Sequence, residues 1–138
     1  MKFNKLIPTI SVFSFERSLE FYTKTLGFKA EYKREEEGFA LISLGKSQIM
    51  IDQIGKGVTW KTGRLKYPLG RGINFQIEVD KIDSLLQKLK KNKIKIFIET
   101  EEKWYRVKNI YVGNKQFLVQ DPDGYLLRFF EDLGSRKL

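Results

Sequence analysis

The chain has 138 residues, 41% hydrophobic and 14% aromatic, which is enough apolar content for one packed domain and argues against disorder. It contains no cysteine and no histidine, so disulfides, thiolate nucleophiles, Ser-His-Asp and Cys-His catalysis are all excluded. A metal site would have to come from Asp, Glu, Asn, Gln and water, a set suited to hard ions.

LIPTISV (Leu6 to Val12) is β-branched and predicts a first strand. Ser14 is a good N-cap, and Phe15, Leu19, Tyr22 and Leu26 place apolar side chains on one face of a helix that Gly27 stops. FKAEYKR, GFALISLG and SQIMIDQI then supply three strands, completing a first module over residues 5–54. Residues 55–71 are rich in glycine and basic residues and predict a long linker loop carrying Trp60 and Tyr67.

The second module, residues 72–132, repeats the order. INFQIEV is a strand, Asp80 is the expected helix cap, and Ile82, Leu85, Leu86 and Leu89 form one helical face. IKIFIET, NKQFLVQ and YLLRFFE give three more strands, with ETEEKWYRVKN expected as an irregular segment carrying Trp104 and Tyr105. A shift of 67 positions lays Ile10 on Ile77, Val12 on Val79 and Leu19 on Leu86, so the chain is an internal β-α-β-β-β repeat. In DPDG, Pro122 fixes φ and Asp123-Gly124 supplies a tight turn between the last two strands.

The net charge of +9 invites a nucleic-acid partner, and lysines cluster in LQKLKKNKIK. That cluster covers the end of a helix, where cations complement the dipole, and no zinc-finger spacing, RNP-type strand or GXXG loop accompanies it. It reads as solvated surface. No apolar run reaches the roughly 20 residues that span a bilayer. MKFNKLIPTISVF lacks the apolar region and cleavage site of a signal peptide, so a cytoplasmic protein with no membrane partner is expected.

With ERSLEFYTKTLGF in its first helix and DPDGYLLRFFE at its end, the repeat resembles the vicinal oxygen chelate superfamily. That group includes glyoxalase I, extradiol dioxygenases, fosfomycin-modifying enzymes and bleomycin resistance proteins. The resemblance spans nearly the whole chain. It implies an α+β fold of two βαβββ modules whose curled mixed sheets surround a concave cavity, with helices on the outer faces. Metal-dependent members carry ligands on the first and fourth strand of each module, positions that fall here near Ile7, Asp52, Asn74 and Arg128. Those enzymes use His, Glu or Gln at such places, whereas an arginine has only donors and stays protonated.

Strand alternation predicts that Leu127 and Phe129 face the helices while Leu126, Arg128 and Phe130 face the cavity. Arg128 would then either pair with an acid such as Asp52 or bind a ligand carboxylate or phosphate through its fork. The absence of the metal ligands makes the chain most similar to the bleomycin resistance type, whose members are metal-independent homodimers that sequester a drug. The expectation is a small-molecule binder without cofactor or catalysis, with a metal-dependent lyase, transferase or dioxygenase as the alternative. Trp60, Trp104, Tyr105 and Phe117 are the candidate ligand walls, although loop aromatics could equally fold back over the core; Asp52, Asn74 and Arg128 are the candidate anchors. Because bleomycin is cationic and this chain basic, the expected ligand is a small aromatic or anionic molecule rather than bleomycin, although a local acidic patch near Glu35 or Glu101 could offset the overall charge.

Overall fold

A computed structural model describes residues 1–57 and 60–137, and internal packing divides the α+β chain into two units. The first unit spans Met1–Arg71 together with Asp121–Gly124; the second spans Gly72–Gln120 and the chain from Tyr125 onward.

The first unit is a four-stranded mixed sheet in the order β1-β4-β3-β2, formed by β1 (Thr9–Val12), β2 (Lys29–Arg34), β3 (Phe39–Leu44) and β4 (Ser47–Gln53). β1 runs parallel to β4, and the other pairs are antiparallel. Helix α1 (Phe15–Glu20) starts where Ser14 suggests: Ser14 Oγ accepts from Arg17 N at 3.2 Å, and Gln53 Oε1 accepts from Phe15 N at 2.8 Å. A wider π-type turn over Phe21–Thr25 follows, closed by a bond from Leu26 N to Phe21 O. Ile10, Val12, Ile42, Ile49 and Ile51 are buried on one face of the sheet, and α1 packs against β4.

DPDG is more than a turn. Asp123 is wholly buried; its carboxylate accepts from Arg17 at 2.7 Å and from Ser18 Oγ at 3.1 Å. Asp121, also buried, accepts from Tyr22 Oη at 2.7 Å and from the Asp123 amide at 2.9 Å. Gly124 adopts φ +103°, and a Cβ there would stand 2.6 Å from Pro68, so glycine is required twice over.

The second unit repeats the topology as β5-β8-β7-β6, from β5 (Asn74–Glu78), β6 (Ile96–Val107), β7 (Ile110–Gln120) and β8 (Leu126–Lys137). Phe117, Val119, Leu127 and Phe129 are fully buried, and helix α2 (Ile82–Lys91) packs against β7 and β8 with Ile82, Leu85 and Leu89 buried. Two expectations need correction. Asp80 does not cap α2: Lys81 holds the N-cap position without a side-chain bond, and Glu131 on β8 accepts from Ile82 N at 2.8 Å. ETEEKWYRVKN is not irregular. Residues 99–107 belong to the long strand β6, held by continuous pairing with β7 from Glu101 to Val107, and Lys108 and Asn109 form the turn into β7.

Candidate functional site

Strand pleating sorts the first unit's residues. The registers Thr9–Met50, Ser11–Asp52 and Phe39–Asp52 bring Thr9, Ser11, Phe39, Met50 and Asp52 to the face away from Ile49 and Ile51. These side chains line a cavity of about 450 Å³, and Arg34, Glu37, Gly57 and Trp60 complete its wall. That volume lies within the range of small-molecule sites, roughly 300–1,000 Å³.

Arg34 donates its Nε–H to Glu37, and its guanidinium carbon lies 4.1 Å from the Phe39 ring centroid. The hydrogen bond to Glu37 pushes the Arg34 guanidinium above its ordinary value, so the group stays charged and lies over the ring. Asp52 is buried at the cavity wall, and Trp60 is 89% exposed beside it. The charged lining is thus one guanidinium against two carboxylates, Glu37 and Asp52.

In the second unit the open sheet face carries Gln76, Gln116 and Arg128. Register pairs Gln76 with Arg128 and Leu118 with Arg128, while Gln116 pairs with Phe130. Arg128 alternates with buried Leu127 and Phe129, as strand pleating predicts, and donates to Gln76 Oε1. Asn74 is exposed on the same face, opposite Leu126. Tyr105 sits on β6 rather than a loop, and its hydroxyl accepts from Gln116 Nε2 at 2.8 Å.

Two expected walls are taken up by the protein itself. Phe117 has no exposed surface and stacks on Phe129 with centroids 5.7 Å apart, so it belongs to the core. Trp104 lies flat over Gly113, where a Cβ would stand 2.6 Å from the ring, and the Arg136 guanidinium covers its ring at 3.6 Å. A glycine opposite an aromatic is a known way to pack a strand pair.

A family model for the Glyoxalase/Bleomycin resistance protein/Dioxygenase superfamily matches residues 6–129. The chain belongs to this superfamily. Among superfamily relatives, the bleomycin resistance proteins of Geobacillus stearothermophilus and Staphylococcus aureus are each 27% identical over 137 residues, covering 94% of this chain and 97% of theirs. The fold is shared with TioX from Micromonospora, at TM-score 0.73 and 16% identity over 94% of this chain and 99% of that one. It is shared also with a virulence protein of Salmonella typhimurium, at TM-score 0.70 and 16% identity over 95% of this chain and 98% of that one.

Register moves three of the four expected ligand positions, Ile7, Asp52 and Asn74, to Thr9, Met50 and Gln76. Thr9–Met50 and Gln76–Arg128 are the equivalent parallel register pairs, related by the 67-residue repeat on their first members. Met50, not Asp52, is therefore the counterpart of Arg128, and Asp52 corresponds to Phe130. Ile7 precedes β1 altogether. A threonine, a thioether, an amide and a guanidinium do not form a divalent-cation donor set. Among the described residues no three acidic side chains converge in a way that could hold a metal. Alternation along β3 and β4 was enough to single out Phe39 and Met50, which the motif-based reading passed over.

Proposed function

We propose that the chain is a metal-independent binding protein of the bleomycin resistance type, sequestering a small aromatic ligand in the first unit's cavity. One observation carries this: an aromatic-walled cavity of about 450 Å³ beside a buried carboxylate, on a chain without histidine or cysteine. Phe39 and Trp60 act as walls, Asp52 as the polar anchor, and the Arg34–Glu37 pair keeps the rim in place. The names of the bleomycin resistance relatives support a drug-sequestering role. The same reading takes the protein as a homodimer: β6 is a sheet edge with Phe97 and Ile98 exposed, surface that a partner would cover.

Calorimetry in EDTA with bleomycin and a panel of smaller aromatic antibiotics tests the proposal. The expected result is saturable binding of at least one compound, weakened about tenfold or more by Trp60→Ala or Phe39→Ala. Binding that appears only when a divalent ion is added would overturn it and restore the enzyme alternative.

A further inference from the structure

The second unit's strands are longer than the repeat requires. β2, β3 and β4 have 6, 6 and 7 residues, whereas their counterparts β6, β7 and β8 have 12, 11 and 12. The surplus forms a three-stranded antiparallel ribbon over residues 103–113 and 133–137. None of residues 103–112 and 133–137 is buried, so the extension adds no side chain to the core. The superfamily match ends at residue 129, and the β8 strand of the ribbon lies beyond it. Lys103, Arg106, Lys108, Arg136 and Lys137 stand on this ribbon, which contains no Asp or Glu. Among the described residues, none of these five cations is in an ion pair.

Register puts Arg106, Tyr111 and Arg136 in one row across the three strands, and directly opposed residues share a face. Two strand spacings separate the arginine positions by about 10 Å, with Tyr111 between them. All three residues are exposed. Trp104, two residues before Arg106, takes the same face, and the Arg136 guanidinium lies 3.6 Å from its ring centroid. That stacking orders Arg136 before any anion arrives. An exposed ring between two forked cations matches a phosphate chain with unpaired bases: the guanidiniums pair with phosphates and a base stacks on the ring. We propose that this ribbon face binds single-stranded nucleic acid, with Arg106 and Arg136 on the phosphates and Tyr111 as the stacking platform. Lys108, at the exposed turn between β6 and β7, extends the cationic track. An anionic membrane would meet the same charge, but insertion calls for a protruding aromatic, and Trp104 lies flat over Gly113 beneath Arg136. The lysines of α2 keep their reading as solvated surface and serve as the control. The ribbon belongs to the second unit and rests on nothing in the first unit's cavity.

Fluorescence anisotropy with labelled oligo(dT) and oligo(U) of about 12 nucleotides, at low salt, tests the inference. Saturable binding of at least one of them is expected, with affinity falling at a log–log salt slope of about −2 for three phosphate contacts. Tyr111→Leu should weaken binding at least about fivefold, while Tyr111→Phe, which keeps the ring, should not. Arg106→Gln should weaken binding and make the salt slope shallower by about 0.7. Lys88→Gln combined with Lys91→Gln removes two positive charges from α2 and should leave affinity nearly unchanged. A duplex of the same length should bind more weakly, because its paired bases leave Tyr111 unused. Absence of oligonucleotide binding, an inert Tyr111→Leu, tighter binding of duplex, or an equal loss from the α2 substitutions would each overturn the inference. So would association with anionic phosphatidylserine vesicles but with neither oligonucleotide. None of these variants touches the first unit, so antibiotic binding there stands or falls separately.

Discussion

Replacing Asp123 by alanine removes the centre of the DPDG anchor. Two side-chain hydrogen bonds disappear, one from Arg17 at 2.7 Å and one from buried Ser18 at 3.1 Å. The Arg17 side chain is 54% exposed and regains water, so its charge-assisted bond is taken at the low end, about 1.5 kcal/mol. Ser18 is buried and is left without this acceptor, which adds about 1–2 kcal/mol. The expected cost is about 3 kcal/mol, or a fall in Tm of about 10 °C for a chain of this size. Urea unfolding followed by circular dichroism measures it, with Arg17→Met and Ser18→Ala as partial versions. Arg17→Met should also be clearly destabilising, because among the described residues the wholly buried carboxylate would keep only the Ser18 side chain as donor. If Asp123→Ala and Arg17→Met each cost less than about 1 kcal/mol, the reasoning that makes this turn a structural anchor is wrong.

Glu131→Ala removes the remote cap of α2 and should cost about 1–2 kcal/mol in the same assay, more than Asp80→Ala, which should be nearly neutral. Gly113→Val drives a side chain into the Trp104 ring and should lower stability by about 1–3 kcal/mol while reducing the near-ultraviolet signal of Trp104. Ser43 donating to Glu31, with Lys29 nearby, holds the Glu31 carboxyl below the usual carboxylate range. A lowered folded value means the contribution is complete above the unfolded carboxyl value of about 4.3 and is lost as pH falls through the folded value. The stability gap between the wild type and Glu31→Gln should therefore narrow on acidification below about pH 4, and a gap that widens there would contradict the assignment.

How much of this was legible depends on where each partner lies in the sequence. Ser14 and the face formed by Phe15 and Tyr22 are local signals, and they placed α1 correctly. Alternation in YLLRFFE was likewise sufficient to put Leu127 and Phe129 on the buried side. ETEEKWYRVKN misled because its residues are polar on both faces; only pairing with β7, and the cover that Trp104 gives Gly113, hold it extended. The α2 cap comes from Glu131, 49 residues from the amide it accepts from, and Asp123 reaches Ser18 across 105 residues. No spacing rule reveals such partners. Phe117 looked like a wall because an aromatic on a strand carries no mark of which face it takes, and its stacking on Phe129 decides the matter.

Ligand binding by the first unit without a metal, as proposed, can be tested directly at Trp60. Trp104→Phe leaves Trp60 as the sole indole, and its fluorescence can be titrated in EDTA with bleomycin and smaller aromatic antibiotics. A saturable change for at least one compound, indifferent to EDTA and to added Mg, Mn, Ni, Zn or Fe(II), is the predicted result. A change that requires one of those ions would contradict the account.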